Sequence, residues 1–426
     1  MMTVRKQSRS EDLPGALTAS FSAGQVRHGR EDDIVDGLLP PAVITPRDVR
    51  EVMSVVDTAA AEKLAILPAG GGSMIDLGNR PLAYDVRLAV KGLSQIVERR
   101  PADLNVTVGA GVGLNRLNRV LEADGQRVAI DPPDDDLATV GGLIATNRTG
   151  GYAYGYGQPR DLILGLEMVD GCGRVLRVGG TVVKNVAGYD LVRLATGSHG
   201  TLGVITEVTL RTHPIPEDAV SVRYVFESVQ ELDRARAAVF AAPLQPAAFD
   251  LAVDRSSSGH TWSMNLRLEG TRSEVTASVE QANRLLGAQP RETSRDWESA
   301  IHAQSDETVV LRFGAQPDRL AAVTAKLLEI AEKRTGRVRA AGRLGDGLGR
   351  VFISGQVSAP EEIVRKGREA LASDAVRLVA ERIPESAKTT LDVWGEPPAG
   401  MEIMRAVKGV FDPGGLFSPG RFVGGV

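Results

Sequence analysis

The sequence predicts an α+β protein built in two parts. Three observations carry this reading. At 426 residues the chain exceeds what a single hydrophobic core usually organises. Its glycine clusters fall mainly before residue 214 and largely stop after it. Beyond residue 218, strand and helix patterns recur twice in the order strand, helix, strand, strand, helix, as in paired ferredoxin-like units sharing one antiparallel sheet. A hydrophobic content of 42% and a charged content of 24% describe an ordinary soluble globular protein. A formal net charge of −4 argues against a nucleic-acid binder, which carries a basic patch or stripe.

Residues 1–33 read as a disordered tail, with an early basic patch but no continuous apolar stretch of the kind a signal peptide has. Thr45, Pro46 and Asp48 predict a capped helix start, with Val49, Val52, Val56 and Ala59 on its apolar face. Leu64–Leu67 is a short strand running into Pro68-Ala69-Gly70-Gly71-Gly72-Ser73. Three glycines directly after a strand can turn successive N–H groups inward as an anion nest, and a pyrophosphate is its natural ligand. A flexible turn is the plain alternative.

Strands follow at Val86–Val90 and Leu104–Val108. Gly109, Gly111 and Gly113 then precede a helix carrying Leu114, Leu117, Val120 and Leu121, and a strand over Arg127–Ile130 leads to Asp131. This imitates a Rossmann fingerprint, but the third glycine position falls on Leu114, whose side chain obstructs close helix–strand packing. A structural role is therefore predicted for these glycines.

The next dense cluster spans Asp131–Gly157. Pro132 and its neighbour fix an extended entry. Thr139–Thr146 is a short helix of small residues containing Gly141, Gly142 and Ala145, whose N-terminus is expected to hold a phosphate through free N–H groups. Asn147, Gly150 and Gly151 form the exit turn. Asp134, Asp135 and Asp136 read as solvated acids, with no partner residues to complete a metal site. Tyr152, Tyr154 and Tyr156 either line a substrate mouth or belong to an amphipathic strand. Asp161–Val169 and Arg174–Val178 make a hairpin around Asp170-Gly171.

Residues 182–206 read VVKNVAGYDLVRLATGSHGTLGVIT. Gly188, Gly197, Gly200 and Gly203 divide the run into a short helix, a turn and a strand over Val204–Leu210. Glycine suits backbone that takes positive φ or meets a ligand closely. After a boundary at residues 214–218 come the second-part elements: Val220–Phe226, Val229–Phe240, Ala248–Val253, Trp262–Leu268 and a helix to Leu286 opened by a Thr271/Glu274 capping box. The rhythm repeats over Val309–Phe313, Arg319–Ala331, Val338, Val351–Ser354 and Glu361–Leu371. A final helix over Met401–Phe411 precedes FDPGGLFSPGR.

The lone cysteine, Cys172, makes an internal disulfide, an iron–sulfur cluster or a Cys-based zinc site impossible. Any redox chemistry must use an organic cofactor and pass electrons out of the chain. No apolar run reaches the ~18 residues of a transmembrane helix, so no direct membrane insertion and a cytoplasmic setting are expected, with any membrane association arising through partners.

Together PAGGGS, ATVGGLIATNRTGG, PRDLILGLEMV-DG, GSHGTLGVITEVTL and SPGR at Ser418–Arg421 resemble the flavoproteins of the p-cresol methylhydroxylase/vanillyl-alcohol oxidase group, PCMH-type for short, over residues 34–426. VVKNVAGYDL with LDVWG at Leu391–Gly395 resembles, more closely, the FAD-binding subunits of bacterial glycolate oxidases. The resemblance implies a two-subdomain PCMH-type FAD-binding domain over 34–217. It implies an α+β cap domain over 218–400 and a C-terminal helix and tail over 401–426 returning to the first. In its terms Ala69, Gly70, Gly71, Gly72 and Ser73 wrap the FAD pyrophosphate. Pro132, Thr139, Gly141, Gly142, Ala145, Asn147 and Gly151 line the pyrophosphate and flavin from the other side. Gly200, Gly203 and Ile205 offer backbone, and Arg421 sits near the isoalloxazine or the domain interface.

Two departures bear on function. Covalently flavinylated relatives carry histidine where this chain has Ser73, so a non-covalent FAD is implied. The metal-dependent 2-hydroxy-acid dehydrogenases of the group carry H-x-GDG-x-x-H, whereas both histidine positions here are arginine, Arg343 and Arg350. Arginine does not deprotonate to ligate a metal, so no metal is expected. These arginines either grip a substrate carboxylate or are surface charges or partner contacts. His199, Lys184, Tyr189 and Arg343 are the candidate catalytic side chains, with His199 alternatively a hydrogen-bonded turn residue. The reading that follows is an FAD-dependent oxidoreductase acting on the CH–OH of a small 2-hydroxy acid such as glycolate or lactate. It would work as a subunit beside a sister flavoprotein and an iron–sulfur subunit. The alternatives are a stand-alone 2-hydroxy-acid or alcohol dehydrogenase and a flavin-less assembly subunit.

Overall fold

The computed structural model describes residues 17, 21–22, 24–132, 137–180, 189–256, 259–297, 299–303, 306–334 and 337–426. The chain forms two compact units. One comprises the chain up to Arg148, Pro159–Pro214 and Glu396–Val426, and the other comprises Thr149–Gln158 and Ile215–Gly395. The strand–helix order expected of the second part is present, and the fold is α+β throughout.

The first unit holds two sheets. Strands β1 (Val26–His28), β2 (Ala42–Ile44), β3 (Ile66–Ala69) and β4 (Val86–Ala89) lie in the order β1-β2-β4-β3. β4 runs parallel to both β2 and β3. Val26–His28 form a strand and Glu31–Asp33 a helical turn, so these residues depart from the disordered tail expected over 1–33. β1 pairs antiparallel with β2, and Arg27 grips the buried Asp33 with two hydrogen bonds of 2.5 and 3.1 Å. Helix Val49–Glu62 packs Val52, Val55, Val56 and Ala59 onto Ile44, Ile66, Val86 and Leu88. Its cap is Asp48, not Thr45: the Asp48 carboxylate accepts the N–H groups of Arg50 and Glu51 at 2.8 and 2.9 Å. Thr45 instead donates its N–H to Gln25 at 2.9 Å, keeping it in the sheet region.

The second sheet contains β5 (Ile96–Arg100), β6 (Asn105–Gly109), β8 (Ile163–Val169), β9 (Val175–Gly179) and β10 (Val204–Arg211), ordered β5-β6-β10-β8-β9 and antiparallel throughout. Helices Leu114–Leu121 and Val140–Thr146 bury Leu114, Leu117, Leu121, Val140, Leu143 and Ile144 in its core. The expected strand over Arg127–Ile130 shrinks to β7 (Gln126–Arg127), which pairs only with β11 (His213–Pro214).

The second unit is built on one eight-stranded sheet, ordered β15-β12-β14-β13-β17-β18-β16-β19. Its strands are β12 (Asp218–Phe226), β13 (Ala248–Ser256), β14 (Gly259–Gly270), β15 (Glu292–Ser294), β16 (Glu307–Gly314), β17 (Val338–Arg343), β18 (Leu348–Ser354) and β19 (Leu378–Arg382). Helices Val229–Ala241 and Arg272–Leu286 belong to the first strand–helix round, and Leu320–Glu332 and Pro360–Leu371 to the second. The capping box forms as predicted: Thr271 Oγ1 accepts the Glu274 N–H at 3.3 Å, and Glu274 Oε2 accepts the Thr271 N–H at 2.8 Å. Thr149–Gln158 joins this unit. Tyr152 and Tyr156 sit on and beside a short helix, Ala153–Tyr156, rather than a strand. Both hydroxyls donate to the Glu269 carboxylate, at 2.8 and 2.5 Å, and Tyr152 stacks on Trp297.

His213 provides a pH test of the first unit. Burial, aided by the charges of Arg211 and Arg127, pushes its imidazole down to about 4 from an ordinary 6.5. The unfolded chain takes up a proton near its ordinary value, while the folded chain resists until the lower one. Stability is thus whole above about pH 6.5 and declines as the pH falls through that window. The substitution His213→Gln should flatten the decline in Tm between about pH 7 and about pH 4.5. An equally steep decline in the variant would remove His213 as the cause.

Candidate functional site

One cleft in the first unit gathers most of the residues singled out in the sequence. It contains about 900 Å³ of empty space, mouth included, and is lined by the end of β3, the loop 70–77, helix Val140–Thr146, the turn 198–205, Ser418 and Arg421. Ala69, Gly70, Gly71, Gly72, Ser73, Thr139, Gly141, Gly142, Ala145, His199, Gly200, Gly203, Ile205 and Arg421 all line it.

The glycine triplet is sterically obligatory. A Cβ at Gly71 would lie 1.6 Å from the Leu137 carbonyl oxygen, and one at Gly70 would lie 2.0 Å from Thr139 Oγ1. Gly72 takes φ +92°, which disfavours any side chain. The loop therefore lies directly against Leu137–Thr139. Among the described residues, no protein acceptor takes the N–H groups of Gly70, Gly71, Gly72 and Ser73. Unused backbone donors in a glycine turn form an anion-binding concavity.

Helix Val140–Thr146 works differently from the expectation. Its first N–H groups are already donated within the protein: Val140 to Val112 O at 2.9 Å and Gly141 to Ala110 O at 2.8 Å. Gly142 donates to Thr139 Oγ1 at 3.4 Å. The helix end is thus not a free phosphate receptor. Gly141 serves packing, since its Cβ would stand 2.7 Å from the Ala110 Cβ. The Rossmann-like glycines are likewise committed: Gly109 and Gly111 donate to Gln95 and Leu93 at 2.8 and 2.9 Å.

The turn before β10 supplies the facing wall. The Gly197 and His199 N–H groups bind Ile144 O and Ala145 O at 2.9 and 2.8 Å, fastening the turn to the end of the helix. His199 takes φ +53°, and its ring lies against Phe422, with centroids 5.2 Å apart. A Cβ at Gly203 would meet Val169 O at 2.5 Å.

The chain's end closes the cleft. Ser418 donates its N–H to Ile66 O at 2.8 Å and its hydroxyl to Gly200 O at 3.3 Å. The half-buried Lys408 ammonium donates to Thr201 O, Asp412 Oδ2 and Phe417 O at 2.6, 2.7 and 2.9 Å. Burial draws its pKa down, with Asp412 pulling the other way. Arg421 Nη2 donates to Ile75 O and Leu77 O, both at 2.5 Å. It holds the loop that follows the triplet.

Several predicted residues lie elsewhere. Pro132 is buried and does not line the cleft. Asn147 ends helix Val140–Thr146 in the left-handed conformation, φ +50°. Gly151 belongs to the second unit, where its N–H donates to Ser299 Oγ at 3.0 Å. Tyr189 is 94% exposed and not a cleft residue. Lys184, Asn185, Gly188 and Asp134–Asp136 lie outside the described residues. Met74, Ile75, Val90, Leu143, Thr146 and Ser198 line the cleft without having been predicted. Met74 and Ser198 adjoin the glycine turns in sequence, whereas Val90 is brought there only by the pairing of β4 with β3.

Arg343 and Arg350 are neither surface charges nor partner contacts, because both are buried in the second unit. Arg350, 2% exposed, makes a paired grip on Glu381 at 2.6 and 3.1 Å and donates to Ile301 O at 3.3 Å. Arg343 is held by Asp346 at 2.7 and 3.0 Å and by Gly150 O at 3.1 Å. Arg343 is paired with Asp346, while Glu381 is shared between Arg350 and Arg312, which reaches it at 2.8 Å.

A cleft with a side-chain-free turn of unused N–H groups, walled by further backbone, is suited to a dinucleotide whose pyrophosphate is held by main chain. Residues 40–179 match the family model described as FAD binding domain, and the cleft fits that cofactor: its glycine turn lines the cleft with N–H groups that no acceptor among the described residues takes. Over 212 residues, half of this chain, the sequence is 34% identical to glycolate oxidase subunit GlcD of Bacillus subtilis (strain 168). It is 38% identical over 169 residues to glycolate oxidase subunit GlcE of Escherichia coli (strain K12), 39% of this chain. These matches cover 45% and 48% of the two relatives, about half of each. A longer match, 29% identical, covers 94% of this chain and 88% of the probable mitochondrial D-lactate dehydrogenase of Danio rerio. Among solved structures, alkyldihydroxyacetonephosphate synthase shares the fold, with a TM-score of 0.73 at 16% identity, covering 96% of this chain and 85% of that one. The chain therefore carries an FAD-binding domain of the PCMH-type fold.

Substituting Gly71→Ala should displace the triplet by overlap with Leu137, costing about 1–3 kcal/mol locally and yielding protein without flavin. Gly113→Ala, whose Cβ would lie 4.0 Å from its nearest neighbour, should keep the cofactor. Equal flavin content in both purified variants would contradict the steric account.

Proposed function

We propose that this chain is an FAD-dependent oxidoreductase subunit, acting on the CH–OH of a small 2-hydroxy acid within a complex. The observation that carries the subunit reading is the state of the two arginines. Where the metal-dependent dehydrogenases of the resembling group place histidines, this chain spends Arg343 and Arg350 on internal ion pairs with Asp346 and Glu381. Neither is left to hold a metal beside a substrate. When bound, FAD supplies a two-electron acceptor. The protein's part would be to hold it: the N–H groups at 70–73 would take the pyrophosphate, while the turn 198–205 and Arg421 form the walls. Ser73 offers no imidazole for a covalent link, which supports non-covalent FAD. The likeness to GlcD and GlcE, each a glycolate oxidase subunit, supports assembly into a complex; in this proposal its partners are a sister flavoprotein and an iron–sulfur subunit that takes the electrons. No helix among the described residues is long and apolar enough to cross a membrane.

The near full-length likeness to a probable D-lactate dehydrogenase favours a second reading, a stand-alone dehydrogenase. Against it stands the commitment of Arg343 and Arg350, either of which it would use for the substrate carboxylate. One assay separates the two. The purified chain is mixed with glycolate or D-lactate and a dye acceptor, with and without the partner subunits. Slow or no flavin bleaching alone, and rapid bleaching with partners, is expected. Rapid bleaching of the isolated chain would establish the stand-alone reading.

A further inference from the structure

We propose that Arg87 is a phosphate ligand of the cofactor site, supplying the positive charge that the glycine triplet lacks. The inference rests on the FAD reading of the cleft. The pyrophosphate of a dinucleotide carries two negative charges, whereas the N–H groups at 70–73 offer only partial ones. The cleft's own guanidinium, Arg421, is committed to two carbonyls and stands 3.6 Å from Asp36.

Arg87 comes from the neighbouring strand. In the parallel register of β3 and β4 it pairs with Leu67, a cleft-lining residue, and β3 continues directly into the triplet. Val86 and Leu88 turn to the opposite face and are fully buried in the core. The Arg87 side chain thus shares the face of Leu67 and Ala69, and is 12% exposed. Its Nη2 lies 3.8 Å from where a Cβ would stand on Gly72, the closest atom to that position. A guanidinium at the rim of an anion nest forms charge-assisted hydrogen bonds with phosphate oxygens.

A built support aims it there. Nη1 donates to Asp32 O at 3.1 Å and lies 3.3 Å from Asp33 Oδ1. Asp33 is shared, because Arg27 also grips it at 2.5 and 3.1 Å. Asp33 thus faces two guanidiniums, with Asp32 a further acid beside Arg27, and Arg87 is the guanidinium of the two that stands next to Gly72. Burial alone would raise the Asp33 pKa, but hydrogen bonds from Arg27 and the Arg30 N–H, with the charges of Arg27 and Arg87, bring it below the usual range. The support is therefore charged at neutral pH.

The test uses the full chain stripped of flavin and titrated with FAD, ADP and adenosine across a salt series. Arg87→Gln should weaken FAD and ADP about tenfold. It should leave adenosine unchanged and make the salt dependence of ADP binding shallower. Where Arg87→Gln does not fold, Arg87→Met, which keeps the aliphatic stem, takes its place. Arg99→Gln, an exposed arginine paired with Asp124, should bind all three ligands normally. Native affinity for FAD and ADP in a folded Arg87 variant would overturn the proposal. So would equal weakening of adenosine with an unaltered salt slope, since that marks a general packing loss. If the native chain bound neither FAD nor ADP, the FAD reading itself would fall.

Discussion

The structure of the first unit depends on one close approach, the contact of the Gly70–Gly72 backbone with Leu137–Thr139. No side chain fits between them. The chain leaving β3 is therefore laid against the segment that starts helix Val140–Thr146, and it lines the cleft with N–H groups that no acceptor among the described residues takes. The same contact decides which donors are free. The helix beside the triplet gives its first N–H groups to Ala110, Val112 and Thr139 and becomes a wall rather than a receptor. Anion recognition then falls to the loop, and to whatever full charge stands next to it.

Three polar anchors hold that geometry from the outside. Lys408 ties the last helix to the turn before β10 and to the chain end. Ser418 ties the chain end to β3 and to Gly200. Arg421 ties it to the loop after the triplet. Each anchor satisfies backbone carbonyls, which matter most when they are buried. The second unit uses its buried charges in the opposite manner. Arg343, Arg350, Arg267 and the half-buried Arg339 are paired with Asp346, Glu381, Glu269 and Glu307 within the unit, and Glu381 also takes Arg312. Matched pairs of this kind specify a packing rather than await a ligand.

Much of this was legible in the chain. The doubled strand–helix rhythm after residue 218 was legible because half-buried strands alternate and amphipathic helices do not. The Thr271/Glu274 capping box was legible because its bonds are local. What escaped the sequence was long-range. The donors of Val140 and Gly141 are consumed by residues some thirty positions earlier, so the helix looked like an open phosphate site. The expected cap at Thr45 yielded to Asp48 because Thr45 is held by Gln25. Tyr152 and Tyr156 are fixed by Glu269, and Arg350 by Glu381, through pairings that no spacing rule reveals. Of the site residues, the glycine turns were found by composition, while Val90 needed the fold to bring it alongside.

The central claim, that this cleft holds FAD through backbone and without a covalent bond, is tested most directly by the absorbance of the purified chain before and after acid precipitation. The account predicts a yellow protein with a band near ~450 nm, a property of the cofactor itself, and its complete release into the supernatant as FAD. Colourless protein that takes up no added FAD, or flavin that stays with the precipitate, would contradict it.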